Sequence, residues 1–368
     1  MKITQQLHDL GQRLWLDNIT RELLDSGTLQ RYISEFSVTG LTSNPTIFHN
    51  ALKSSDLYDS SIRKNFLAGK SGEGLFFELA IEDLTRAADL FRPAHDATDG
   101  VDGWVSLEVS PLLAHDTAGT IKAALQLHAQ FNRPNLLIKI PGTQAGLAAI
   151  EEVIFAGVPV NVTLLFSSEQ YIAAAGAYMR GIERRIAAGR DARIASVASV
   201  FISRWDVAIK DKVAGELRNR LGIAIAMRTY KSYRDLLASP RSQKLHAAGA
   251  HPQRLLWAST GTKDPAAKET LYIDALAAAD TINTIPEKTL LAFAQQGEIK
   301  SVLPPDGGDA EKLLAAFARA GVDVLALAAD LQREGTAAFA KSWNELISLI
   351  ASKTKTLKTE TLAQVKQA

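Results

Sequence analysis

The sequence of 368 residues contains no cysteine. That excludes disulfides, thiol nucleophiles and thiolate metal sites, and it makes a reducing cytoplasm the expected compartment. An excess of one charge is missing too. Lys and Arg number 41 against 40 Asp and Glu, a formal net charge of +1, so no global field draws the chain to nucleic acid or to an anionic membrane. Any anion site must therefore be local. No apolar stretch is long and charge-free enough to span a bilayer, and the first ten residues lack the apolar centre of a signal peptide. The glycine fingerprints of dinucleotide and P-loop phosphate binding do not occur, and the seven histidines show neither i,i+4 pairs nor an HExxH motif.

What is present is 46% hydrophobic sequence in a regular alternation. Short apolar runs alternate with longer amphipathic segments up to about residue 285, the pattern of a parallel sheet with helical crossovers. Strands are expected near Leu14–Asp17, Ser37–Thr39, Gly103–Val109, Leu136–Ile140, Val158–Val162, Ile194–Phe201, Arg254–Ala258 and Thr281–Asn283. Helical patterns between them include Gly74–Phe91, Asp116–Phe131, Gln144–Phe155, Ser168–Ala188, Arg204–Arg220 and Ile223–Ala238. Eight strands with intervening helices favour an α/β fold of the closed (β/α)8 TIM-barrel type over an open doubly wound sheet. Extra helices are expected between strands 2 and 3 and at the C-terminus. No linker divides the chain, so 1–368 reads as one domain, with 286–350 a helical extension and 351–368 a polar tail that frays. Phe339 and Trp343 share one face of the last helix, which packs either over the barrel mouth or on its outer wall.

One strand carries a residue that does not belong in an apolar run: Leu136-Leu137-Ile138-Lys139-Ile140-Pro141. Burying an ammonium among Leu and Ile costs several kcal/mol unless it is paired or neutralised. A neutral lysine amine is a carbonyl nucleophile, as Schiff-base enzymes require. Taken alone, Lys139 reads equally as a strand-end lysine that snorkels to water. The other strand ends alter that balance. Asp17, Glu108, Thr163, Ser199 and Ser259 each follow an apolar run where barrel strands deliver catalytic groups, and Arg204 follows Ser199 closely.

The residue types suit imine chemistry. A lysine adding to a ketone must shed water, which needs an acid/base, and carbon–carbon cleavage needs a base at the hydroxyl beyond the broken bond. Glu108 and Asp17 can fill these two roles in either order. Thr163 and Ser199 can hold a water or substrate hydroxyls, and Asn44 can hydrogen-bond a carbinol oxygen. Phosphate recognition has two sources: the loop Ser259-Thr260-Gly261-Thr262-Lys263 after strand 7, and Arg204, whose alternative is an ion pair with Asp206.

These segments together resemble the transaldolase family, in its longer bacterial type. The resemblance spans nearly the whole chain: Leu16-Asp17, Thr39-Gly40-Leu41-Thr42-Ser43-Asn44-Pro45, Val105-Ser106-Leu107-Glu108-Val109, Leu137-Ile138-Lys139-Ile140-Pro141, Val160-Asn161-Val162-Thr163-Leu164-Leu165-Phe166-Ser167 and Leu256-Trp257-Ala258-Ser259-Thr260-Gly261. It implies a Schiff base on Lys139, with Glu108 and Thr163 handling the water of imine formation and hydrolysis. Asp17 then acts on the substrate C4 hydroxyl, Asn44 and Ser199 orient substrate oxygens, and Arg204 binds phosphate. Where shorter relatives carry an arginine soon after the strand-7 serine, this chain offers Lys263.

The implied reaction moves a dihydroxyacetone unit between sugar phosphates in the non-oxidative pentose phosphate pathway. It needs no metal or organic cofactor and no nucleic-acid or membrane partner, and the expected assembly is a monomer or homodimer. Two rivals remain. A fructose-6-phosphate aldolase would release dihydroxyacetone to water; such relatives carry glutamine and tyrosine where this chain has Glu108 and Phe201. A non-catalytic barrel would keep the sugar-phosphate contacts without the chemistry.

Overall fold

The computed structural model describes residues 1–213 and 215–367, with side chains described through residue 359. Eight parallel strands close into one barrel: β1 Arg13–Leu16, β2 Val38–Leu41, β3 Val105–Glu108, β4 Leu136–Pro141, β5 Val160–Leu165, β6 Ser196–Phe201, β7 Arg254–Ala258 and β8 Thr281–Ile285. Neighbours in sequence are neighbours in the sheet, and β8 pairs with β1 to remove both edges. All eight expected strands are present. Several boundaries differ by a few residues; β5 runs on to Leu165 and β8 to Ile285.

Alternation along the strands sorts the interior into layers. Trp15, Leu137, Val197, Leu256 and Ile282 are buried within one apolar cluster. Two residues further along the same strands stand Asp17, Lys139, Ser199, Ala258 and Thr284. The strand period of two thus places a layer that is polar at every position but Ala258 directly above an apolar floor.

Gly40 of β2 is where the floor would clash with a side chain. A Cβ there would lie 2.6 Å from the Trp104 carbonyl oxygen and 2.8 Å from the Trp15 indole. Trp15 cannot swing aside cheaply, because its Nε1 donates to Asp102 Oδ1 at 2.9 Å and Asp102 is ion-paired with Arg13 at 3.3 Å.

Between β2 and β3 the chain inserts three helices, Pro45–Lys53, Asp59–Leu67 and Gly72–Ala97. The segment expected as one helix from Arg204 to Arg220 instead stops at Ile209. Buried Asp206 turns away from Arg204 to accept from the amides of Leu221 and Gly222, at 2.9 and 3.2 Å, and so caps the next helix, Leu221–Ala238. Asn219 and Gly215 take left-handed backbone in the connection.

After β8 come helices Glu287–Gln296, Ala310–Arg319 and Val324–Gln367. The last has 44 residues, a length of about 66 Å at 1.5 Å per residue. It lies over the barrel mouth. Gln332 Nε2 donates to the carbonyls of Gly142 and Leu164 at 3.1 and 3.0 Å, just beyond β4 and within β5. Leu164 has a positive φ of 58° at the point where the β5–β6 register shifts. Trp343 Nε1 donates to Glu73 Oε1 at 2.7 Å, and Lys353 reaches Asp59 at 2.8 Å. The helix continues past residue 351, where Lys353 donates to the Ser55 carbonyl and Leu357 is buried; the rest of the expected polar tail, residue 368 and the side chains beyond 359, lies outside the described residues. No helix among the described residues is long and apolar enough to cross a membrane.

Candidate active site

Lys139 projects from β4 into the barrel and is 5% exposed. Its charge is met on three sides. Nζ stands 3.3 Å from Glu108 Oε2, donates to the Ser43 carbonyl at 3.1 Å, and lies 5.7 Å from the ring centroid of Phe339. The snorkelling alternative is thereby excluded: the amine is paired inside the protein. Parallel register explains the pairing, since Glu108 and Lys139 are Cα partners across the β3–β4 seam.

Glu108 is buried, and desolvation pushes its carboxyl above the usual carboxylate range; Lys139 pulls it back and Asp17 adds a like charge. Glu108 Oε1 makes no hydrogen bond among the described residues, Oε2 facing only Lys139 Nζ at 3.3 Å, and the buried Thr163 Oγ1 makes none either. The β4–β5 register pairs Lys139 with Asn161 and Pro141 with Thr163, so Thr163 lies two residues further along, on the cavity that Lys139 also lines. Unpaired polar atoms of this kind suit a site that handles a water or a hydroxyl.

Asp17 follows β1. Burial raises its carboxyl, while Lys139, a hydrogen bond from Thr42 and Lys263 favour its charge. Thr42 Oγ1 donates to Asp17 Oδ1 at 2.8 Å and lies 2.6 Å from Thr284 Oγ1. Because Thr42 spends its single proton on Asp17, Thr284 must be the donor to Thr42.

Two polar residues have their hydrogen-bonding capacity fixed by neighbours. Asn44 caps the helix Pro45–Lys53, its Oδ1 accepting from the Ile47 amide at 3.0 Å, which leaves the amide NH2 as its free donor. Ser199 donates its proton to Asn161 Oδ1 at 2.7 Å, and Asn161 Nδ2 donates to Ser106 Oγ at 3.1 Å. Ser199 can therefore only accept from a ligand. Asn161, Ser106, Thr42 and Thr284 were not singled out as site residues in the sequence. The signal was available, because Asn161 and Ser106 lie two residues before Thr163 and Glu108 and so share their strand faces.

The cation positions lie at the rim. Arg204 stands in the first turn of the helix Ser203–Ile209; no hydrogen bond or ion pair engages it among the described residues, and the expected alternative partner Asp206 is committed elsewhere. Burial works against its charge and Glu334 favours it. Arginine stays protonated throughout. Lys263 is exposed. The loops that carry the two are tied together, Ser203 N donating to the Ser259 carbonyl at 3.0 Å and the Ser203 and Ser259 hydroxyls lying 3.0 Å apart.

A single cavity of about 260 Å³ is lined by Asp17, Asn44, Lys139, Thr163, Ser199 and Arg204, and Ser259 and Lys263 reach it as well. Glu108 stands behind Lys139. The structure thus brings together all nine residues singled out from the sequence, and it adds Phe339 from the C-terminal helix and Phe201 from β6 to the wall.

An amine held beside a carboxylate at the mouth of a (β/α)8 barrel, with a second carboxylate and free cations on the same cavity, equips a lysine-dependent enzyme of carbonyl chemistry. Comparison with known proteins narrows that class. Residues 14–350 match the family described as Transaldolase/Fructose-6-phosphate aldolase, and the chain belongs to this family. It is 43% identical to a transaldolase of Saccharopolyspora erythraea over 94% of this chain and 96% of that protein. A transaldolase of Thiobacillus denitrificans is also 43% identical, over 95% of this chain and all of its own length. A transaldolase 2 of a Nostoc strain is 37% identical over 96% of this chain and 97% of its own.

Proposed function

We propose that the chain is a transaldolase, which transfers a dihydroxyacetone unit from sedoheptulose 7-phosphate to glyceraldehyde 3-phosphate, giving erythrose 4-phosphate and fructose 6-phosphate in the non-oxidative pentose phosphate pathway. The observation that carries this reading is Lys139, buried and paired 3.3 Å from Glu108 on a cavity that Asp17 and Thr163 also line.

Lys139 gives up a proton and its amine adds to the ketose C2 carbonyl. Glu108, its carboxyl raised by burial, takes and returns protons as the carbinolamine loses water, with Thr163 Oγ1 holding that water. Asp17 removes the C4 hydroxyl proton, the C3–C4 bond breaks, and its electron pair passes through the iminium to leave an enamine on Lys139. The enamine carbon then attacks the acceptor aldehyde, Asp17 returns the proton to the new hydroxyl, and water releases the product ketose. Asn44 donates to substrate oxygens and Ser199 accepts from a hydroxyl, the roles their fixed hydrogen bonds leave open. Arg204 and Lys263, with Ser259 beside them, receive the phosphate.

Borohydride reduction in the presence of fructose 6-phosphate, followed by peptide mapping, tests the reading. A three-carbon or sugar adduct on Lys139 is expected. Supplying or withholding erythrose 4-phosphate as acceptor separates transfer from simple aldol cleavage. Absence of an adduct, or full transfer by Lys139→Ala, refutes the assignment.

A further inference from the structure

The eight β/α units and their loops supply every polar group of the cavity, yet one of its walls comes from the C-terminal helix. Phe339 is 6% exposed and lines the cavity with Lys139, its ring centroid 5.7 Å from Nζ. We propose that Phe339 determines the fate of the three-carbon unit on Lys139, shielding it from water so that it passes to an aldehyde acceptor. The inference rests on the transaldolase reading above.

Loss to water and transfer start from the same enamine. For loss, the enamine carbon takes a proton, water adds to the resulting iminium carbon, and the C–N bond breaks, freeing dihydroxyacetone and the lysine amine. For transfer, the enamine carbon bonds to an aldehyde and its oxygen takes the proton. The water that Thr163 holds serves imine formation and hydrolysis in either course; loss competes when further water entering from the mouth protonates the enamine carbon before an aldehyde reaches it. An aromatic ring beside Nζ occupies the space and offers water no hydrogen-bond partner. Its electron-rich face also favours the positive charge that the nitrogen keeps as an iminium.

The ring is held, not draped. Two turns before Phe339, Gln332 is hydrogen-bonded to the carbonyls of Gly142 and Leu164, and one turn before it Gly335 packs so closely that a Cβ would lie 3.0 Å from Leu164 Cδ2. One turn after it, Trp343 is bonded to Glu73 and stacks edge-on against Phe76. The first two anchors lie at the β4 and β5 ends that carry Lys139 and Thr163, and the third ties the helix to the inserted helix Gly72–Ala97.

The test is product partition. Wild type, Phe339→Leu, Phe339→Ala and Gln332→Ala are each given fructose 6-phosphate with limiting erythrose 4-phosphate, and free dihydroxyacetone is measured against sedoheptulose 7-phosphate. The ratio of released to transferred unit is expected to rise roughly ten-fold in Phe339→Ala, the factor made by about 1.4 kcal/mol. Phe339→Leu, which keeps bulk but loses the ring face, should rise less. Gln332→Ala leaves the ring intact and loosens its helix, so it covers the case of a poorly folded alanine variant and should shift the ratio in the same direction. A ratio unchanged in all three, with both rates falling together, would mean that Phe339 only packs the helix, and would overturn the proposal. No transfer product from wild type would instead refute the transaldolase reading.

Discussion

Glu108 Oε2 stands 3.3 Å from Lys139 Nζ at a point where the β3–β4 register makes the two residues Cα partners, and both are almost wholly buried. Neither charge is tolerable there without the other. Lys139→Ala is therefore expected to do more than abolish adduct formation. Removing one partner of a buried pair costs about 3–5 kcal/mol, because the remaining charge is left uncompensated.

The cost should depend on pH in a definite direction. Burial already raises the Glu108 carboxyl and Lys139 opposes that rise, so its loss raises the carboxyl further. A folded value above the unfolded one, about 4.3 for Glu, means that the folded state holds the extra proton between the two. Stability of Lys139→Ala should thus fall as pH rises through that window and stay low above it. Thermal melts at acid and mildly alkaline pH would show it, and Lys139→Ala/Glu108→Gln should abolish the dependence. Equal losses in the single variant at both pH values would contradict the pairing.

Asp17 is expected to trade stability for activity. Its carboxyl is raised chiefly by burial, so above its folded value the wild type carries the penalty of a buried charge. Asp17→Asn should melt higher than wild type at neutral pH, and the gain should vanish below about pH 3.9, where the unfolded carboxyl is also protonated. Turnover should fall by about 10²- to 10⁴-fold, the usual worth of a general acid/base, while borohydride still traps an adduct on Lys139. An Asp17→Asn enzyme that cleaves fructose 6-phosphate at the wild-type rate would remove Asp17 from the C–C step.

Much of this site was legible because a parallel barrel converts sequence order into geometry. Each strand end delivers one side chain to one mouth, so Asp17, Glu108, Lys139, Thr163 and Ser199 could be grouped from apolar runs alone. What was not legible depends on contacts between distant segments. The length of the helix that holds Arg204 in its first turn is set by Asp206 capping Leu221, a tertiary use of a residue that periodicity assigns to a helical face. Docking of the last helix depends on Gln332 meeting carbonyls from β4 and β5, 190 and 168 residues away. Periodicity placed Phe339 and Trp343 on one face but left the mouth and the outer wall equally open.

Arg204 and Lys263 should contribute unequally to phosphate recognition. Arg204 is half-buried and makes no competing hydrogen bond or ion pair among the described residues, whereas Lys263 is exposed and screened by solvent. A hydrogen bond to a charged group is worth about 1.5–3 kcal/mol, so Arg204→Met should raise KM for fructose 6-phosphate roughly 10- to 100-fold. Lys263→Met should raise it only a few-fold and in a way that added salt erases. With unphosphorylated fructose as donor, Arg204→Met and wild type should behave alike. A persistent defect there would place Arg204 in the chemistry instead of the phosphate grip.

Gly40 links the barrel floor to the reacting groups. A Cβ at this position would lie 2.6 Å from a backbone oxygen and 2.8 Å from an indole that Asp102 and Arg13 hold in place, so the strand itself has to move. Overpacking of this kind costs typically about 1–3 kcal/mol, and Gly40→Ala should lower the denaturant midpoint accordingly. The same strand leads directly into Thr42, which orients Asp17, and Ser43, whose carbonyl receives the Lys139 ammonium. Displacing β2 therefore misplaces both catalytic groups at once. Turnover measured well below the melting temperature should fall even though the chain is fully folded, and the residual adduct yield on Lys139 should fall with it. A variant that unfolds earlier but turns over normally when folded would show that the mouth tolerates movement of β2, and that the floor and the site are mechanically independent.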